Sequence, residues 1–447
     1  MMDACLAISL VGLCVALGGD PPGLVTAEPW KMERIYLSHG EVLEGLVLSE
    51  SPTEISFRWV QRRPGKRTLV QDLSLQSREV LRLERLPEQD RTALAAKLTE
   101  LTRRAHIEAE QMKKLTLTRI KWAADTPGWQ YQGPYFLLTS NAREDLVRRL
   151  VVRLQELFQA FDTALPRRRQ PADQLHIVIY RTLPEYQAVL REQGLNILNP
   201  ACFDPRRNQI AVASDIERLE EEWQRIRQQH AELLARIHKQ EKLLQEHFGR
   251  KPPADLLAPL RQARQRIDLV NAQNRQVLER TAQRLHQTLY HEAFHAWLEL
   301  YVYPSYERPV PRWLNEGLAQ VFESAYVETG ELHVGRIDPP RLAEARQALR
   351  KGQLVPLAEL VRCGGQQFQV AHASEAHIAD RYFLTSWALA HYLVFEKKLL
   401  ATALMDRYLD SLSRGTDPEA ALAQFANMPL HRLESALHEY LMNLKWD

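Results

Sequence analysis

From Leu260 to Val302 the chain runs without a glycine or a proline, and apolar residues recur in its second half at Leu285, Leu289, Ala293, Phe294, Trp297 and Leu298. This three-four spacing predicts a long helix whose last turns have a buried face. His291-Glu292-Ala293-Phe294-His295 lies on it. The two imidazoles, at i and i+4, leave one face and can grip a single cation, with Glu292 in reach of a water on that cation. Downstream, Trp313-Leu314-Asn315-Glu316-Gly317 opens a second predicted helix, on which Glu316, Gln320 and Glu323 share a face while Leu314, Leu318, Val321 and Phe322 point elsewhere.

A catalytic zinc site takes three protein ligands and keeps one position for water, whose pKa falls from near 16 to about 7. His291, His295 and Glu316 supply those ligands. Glu292 is then the general base that takes the water's proton and later passes it to a leaving amine. Glu323 is expected to support a ligand from behind. Two histidines and one carboxylate also suit iron or manganese. The Glu292 base favours zinc, one ion per chain.

These two segments, in this order, resemble the gluzincin clan of metallopeptidases, and most closely its aminopeptidase and leukotriene-hydrolase branch. The resemblance implies that Glu316 is the third ligand, that Glu323 stands where a second acid follows, and that a downstream tyrosine steadies the oxyanion. Tyr382, in Asp380-Arg381-Tyr382-Phe383, lies at a comparable distance, either as that donor or as a ring packed in the core. The gap between His295 and Glu316 is slightly longer than in the aminopeptidases. Their Gly-x-Met-Glu-Asn segment has no counterpart upstream of His291, so aminopeptidase specificity is not implied. The pattern over roughly residues 130 to 445 is also similar to the exported bacterial proteins grouped as peptidase-MA-like. His372 and His377, just before Tyr382, read as auxiliary donors or as ordinary surface or core histidines.

A net charge of +2 argues against a general nucleic-acid binder, and Arg167-Arg168-Arg169 reads as solvated surface. With 45% hydrophobic residues in 447, the chain can bury the cores of two or three domains. The apolar run Ala4–Leu17 is too short to span a bilayer and suits a signal-peptide core ending near residue 27, which predicts export without a stable transmembrane anchor. Cys202 and Cys363 then remain, as a disulfide or as two free thiols.

Short alternating runs over residues 31–86, such as Glu54-Ile55-Ser56-Phe57-Arg58-Trp59-Val60, predict a small SH3-like or Sm-like β-barrel, with turns at Ser38-His39-Gly40 and Pro64-Gly65. A helical connector follows over 87–116. Residues 117–215 alternate strand and helix, and Asn208–Ser214 is the candidate edge strand for an extended peptide, or else an inner strand. Residues 216–286 carry apolar positions at Ile216, Leu219, Trp223, Ile226, Leu233 and Ile237. They predict a coiled-coil hairpin that turns at Lys251-Pro252-Pro253, with Pro259 in the first turn of the returning arm. This hairpin is a self-packed arm, or a gate, partner site or dimer contact. Residues 287–330 hold the zinc-binding helices, and 331–447 are mostly helical with a short strand at Glu331–Val334.

The expected fold is α+β: a zincin-like metallopeptidase domain with a mixed sheet, active-site helices and a helical C-terminal subdomain, plus the N-terminal β-barrel and the hairpin insertion. The expected function is zinc-dependent peptide-bond hydrolysis on a peptide or protein substrate. The alternative is a zincin-fold scaffold with little turnover that acts through its barrel and hairpin.

Overall fold

The protein is described from a computed structural model, which covers residues 30–444 apart from 39–41, 63–67, 123–125, 172, 195–198, 250–252, 329–330, 335–338, 369–372 and 401. The expected signal segment with Cys5 and Cys14, His39 and Gly40, the Pro64-Gly65 turn, Lys251-Pro252 and His372 lie outside the described residues. So does the side chain of His377. The architecture is mixed α and β.

Five N-terminal strands, β1 (Glu33–Leu37), β2 (Val42–Glu50), β3 (Glu54–Gln61), β4 (Leu69–Gln76) and β5 (Val80–Glu84), pair in the order β4-β3-β2-β1-β5, antiparallel throughout. The expected barrel does not close, because β4 and β5 are the two ends of this order. Alternation reports which face of a strand is buried, and it carries no information on whether the last strand meets the first. One face gathers Ile35, Leu43, Val47, Ile55 and Phe57. The other packs Leu46 and Val60 against Leu94 and Leu98 of α1 (Glu88–Lys114).

A second sheet comprises β6 (Thr118–Lys121), β7 (Pro127–Gln132), β8 (Phe136–Ser140), β9 (Leu175–Tyr180), β10 (Ala201–Asp204) and β11 (Gln209–Ala213), interleaved with α2 (Glu144–Ala164) and α3 (Leu183–Glu192). Its order is β10-β11-β9-β8-β7-β6. The central pairs β8–β9 and β9–β11 are parallel, as helical crossovers require, and the pairs toward both edges are antiparallel. Leu146, Val147, Leu150, Val151, Leu154, Leu157, Phe158 and Phe161 line one side of α2 at three-four spacing and are buried on the sheet. A fully buried side chain of this size contributes about 1.5–3 kcal/mol. The candidate edge strand is an inner strand: β11 lies between β9 and β10, and β10 holds the edge.

The hairpin is formed by α4 (Ile216–Phe248) and α5 (Ala254–Trp297). Ile237 and Ile267 are buried, Arg264 pairs with Glu241 at 2.8 Å, and His230 Nδ1 lies 2.8 Å from Asn271 Oδ1. Leu233, placed on the seam by its spacing, is 45% exposed. Pro259 also differs from expectation, since α5 has already begun at Ala254 and the proline sits inside the helix.

The remaining elements are α6 (Arg312–Phe322), a two-stranded ribbon of β12 (Tyr326–Glu328) and β13 (Glu331–His333), then α7 (Pro339–Arg350), α8 (Leu357–Arg362), α9 (Ala373–His391), α10 (Ala403–Ser413), α11 (Pro418–Ala426) and α12 (Leu430–Asn443). The three consecutive arginines lie at the surface, Arg167 and Arg168 exposed, and each has an aromatic and an acidic partner. Arg167, Arg168 and Arg169 lie over Tyr135, Tyr303 and Tyr306 at 5.6, 4.6 and 5.3 Å and pair with Asp162, Asp406 and Glu307. Cys202 and Cys363 are free thiols. Among the described residues, no helix is long and apolar enough to cross a membrane.

Candidate metal centre

The last turns of α5 are held by aromatic packing. Phe294 stacks on Phe322 of α6 with ring centroids 4.3 Å apart, Phe161 of α2 meets both edge-on, and the Trp297 indole donates to Leu165 O at 3.0 Å. With Ala293, Phe294, Ala296 and Trp297 fully buried, the opposite face of the helix carries His291, Glu292 and His295.

Helix α6 delivers Glu316. The helix starts after Pro311, buries Trp313, Leu314 and Leu318, and lies close against α9 at Gly317. A Cβ at Gly317 would stand 2.4 Å from Ser386 O, so only glycine permits this approach. Gln320 donates to Glu316 O at 3.3 Å and to Phe383 O at 3.0 Å. Its amide ties α6 to α9.

His291, His295 and Glu316 place one donor atom each within 4.8 Å of one another, a group that can hold a metal ion. A tetrahedral ion with bonds of about 2.0–2.1 Å keeps its ligand atoms about 3.4 Å apart. Glu316 Oε2 lies 3.4 Å from His291 Nε2 and 3.7 Å from His295 Nε2. The donor set therefore fits a small cation.

Each donor is oriented from behind. His291 Nδ1 lies 2.9 Å from Glu323 Oε2, and His295 Nδ1 lies 2.8 Å from Asn315 Oδ1. Both partners accept, so Nδ1–H donates and Nε2 is turned toward the cluster, where a cation would take the place of a proton. Arg312 holds Glu316 Oε1 at 2.6 Å, and Arg341 holds Glu323 Oε1 at 2.8 Å.

The electrostatics favour a cation. Burial opposes the Glu316 charge, but His295, His291 and Arg312 hold its carboxyl well below the usual range. Burial would lower His291; hydrogen bonds to Glu316 and Glu323, with the charge of Glu292, outweigh it and raise the imidazole to about 10. Three carboxylates thus converge on one histidine. Glu292 is buried and makes no hydrogen bond or ion pair among the described residues.

Tyr382 is placed differently from its neighbours in the expected site. Its hydroxyl donates to Glu359 of α8 and its ring lies edge-on to Phe368. Burial, with that carboxylate, pushes the phenol up to about 12. Nothing among the described contacts joins it to His291, His295 or Glu316.

Asn315, Arg312 and Arg341 were not singled out by sequence reasoning. Arg312 carried a usable signal, four residues before Glu316 on one helix. Asn315 sat unassigned inside the motif, and Arg341 comes from α7 with no local signal.

The chain matches no curated protein. Its residues 286–414, which contain His291, Glu292, His295, Glu316 and Glu323, match the family described as "Protein of unknown function (DUF1570)".

Proposed function

We propose that this protein is an exported zinc-dependent metallopeptidase of gluzincin type, with a zincin-like domain built from the second sheet, α5, α6 and the C-terminal helices. The observation that carries the reading is the triangle of His291 Nε2, His295 Nε2 and Glu316 Oε2 beside the Glu292 carboxylate, which has no hydrogen bond among the described residues. When held by these residues, zinc supplies Lewis acidity, acidifying a water and polarising the carbonyl to be attacked.

The chain's own groups do the rest. Glu292 takes a proton from the attacking water at its carboxylate and delivers it to the nitrogen of the departing amine. Asn315 and Glu323 keep the imidazoles in the tautomer that points Nε2 inward, and Arg312 fixes the Glu316 carboxylate. Tyr382 donates to the developing oxyanion in this reading by leaving Glu359.

A peptide substrate is supported by β10. Ala213 donates to Pro200 O at 2.8 Å, which makes 200 with 213, 202 with 211 and 204 with 209 the hydrogen-bonded pairs. By the antiparallel alternation, the N–H and C=O of Ala201 and Phe203 then face away from β11, at the open edge of the sheet. An extended peptide of any sequence can pair with such an edge, and β10 packs beside α5.

The test is metal content by elemental mass spectrometry on protein purified without a metal column. About one zinc per wild-type chain, lost in Glu316→Ala, is expected. Absence of bound metal in both, after zinc is supplied, would overturn the reading.

A further inference from the structure

A cavity of about 160 Å³ lies where the start of β10, the end of β11 and one face of α5 meet. Leu183, Val212, Ile216 and Leu285 give it apolar walls, and Ser214, Asp215, Thr281, Arg284 and Thr288 also border it. Val212, Ile216 and Leu285 are buried, while Arg284 is exposed and marks the side open to water.

Its position relative to the metal centre follows from helix geometry. At about 100° per residue, Arg284, Leu285 and Thr288 fall within the same arc of α5, about 120° wide, as His291, Glu292 and His295. The cavity therefore lies on the same side of α5 as the histidines, its α5 wall, from Thr281 to Thr288, centred about 13 Å before them at 1.5 Å per residue. Strand β10 leads from the cavity toward the centre on the facing side: Pro200 borders the cavity, and Cys202, about 7 Å further along the strand, feels the charge of Glu292.

We propose that this cavity receives one bulky apolar side chain, aromatic or branched aliphatic, of an extended peptide paired with β10, and so selects which bonds are cut. The inference rests on the peptidase reading and adds its substrate class. A cavity of roughly 150 Å³ lined by aliphatic side chains takes up a benzene ring, so this one accommodates a phenylalanine or leucine side chain. Alanine would leave the space mostly empty. Extended chain rises about 3.3 Å per residue, which puts the selected residue about two to four positions from the bond cut.

The test uses the full-length zinc-loaded protein and a peptide library whose cleavage products are sequenced by mass spectrometry, for wild type, Thr288→Phe and Val212→Phe. The two substitutions narrow the cavity from α5 and from β11, and zinc content with circular dichroism verifies that each variant is folded. Wild type is expected to favour phenylalanine or leucine over alanine at one fixed position by about tenfold or more in kcat/KM, and the variants to shift that position toward small residues. Cleavage with no such preference, or with one that both folded variants retain, would overturn the cavity assignment and leave the peptidase reading standing.

No cleavage by wild type would overturn the peptidase reading itself. Glu292→Gln then judges the cavity by equilibrium binding of fluorescent peptides that differ only by phenylalanine or alanine at each position. A preference of about tenfold for phenylalanine, abolished by adding Thr288→Phe, supports the cavity; equal binding of the two sets overturns it.

Discussion

Asn315 Oδ1 lies 2.8 Å from Nδ1 of His295, so the residue beside one candidate metal ligand orients another. Glu316 and Asn315 are neighbours in sequence, yet they address the same imidazole from opposite sides. Replacing Asn315 with leucine removes the acceptor and leaves the His295 ring free to adopt the wrong tautomer. Zinc affinity, measured by competition with a chelator, is expected to fall about 10–100-fold, whereas Asn315→Asp should retain most of it.

Glu292 separates binding from turnover. Because its carboxylate makes no hydrogen bond among the described residues, Glu292→Gln should leave zinc content and thermal stability near wild type. Peptide hydrolysis should fall by at least about 100-fold. A glutamine variant with wild-type turnover would remove Glu292 from the proposed chemistry.

Gly317 sets how closely α6 approaches α9. In Gly317→Ala the new methyl group meets Ser386 O, a backbone atom that cannot rotate away. The two helices must separate, at a cost of about 1–3 kcal/mol. Urea unfolding should report this loss, and zinc binding should weaken with it, because Glu316 rides on the displaced helix.

His391 makes stability depend on pH without belonging to the candidate ligand set. The ring is buried between Trp387, Phe395 and Tyr440, its Nδ1 is 2.8 Å from the Tyr440 hydroxyl, and burial lowers its pKa to about 3. In the unfolded chain the same group titrates near 6.5. Between these values the unfolded state binds the proton and the folded state does not. The contribution to stability is therefore complete above about pH 6.5 and declines as the pH falls toward 3, by up to about 1.4 kcal/mol per unit. Urea midpoints at pH 7 and pH 5 should differ less in His391→Gln than in wild type.

The parts of the fold written locally could be read from the sequence. The segment around His291 sits on one unbroken helix, where spacing alone fixes which side chains share a face. Glu323, at the end of α6, meets His291 as its position suggested. The edge strand was misplaced because β10 is four residues long and too short to show an alternation, while the longer apolar run of β11 drew the assignment. The turn between them, Pro205-Arg206-Arg207-Asn208, did carry a signal, with Asn208 at a φ of 49°. Arg341 and Glu359 reach their partners through the packing of separate helices, and no periodicity encodes that. For the cysteines the sequence left both states open; the side chains of Cys202 and Cys363 are unbridged.

Helix α5 extends 44 residues from Ala254 to Trp297, and the histidines ride on the same rod that forms one arm of the hairpin. Such a rod is a lever. From Ala254 to the histidines it measures about 58 Å, so a tilt of about 5° about the metal end displaces the far end by about 5 Å. Movements of that size at the tip correspond to shifts of only a few tenths of an ångström at the imidazoles, and a grip on the hairpin would be felt there with mechanical advantage.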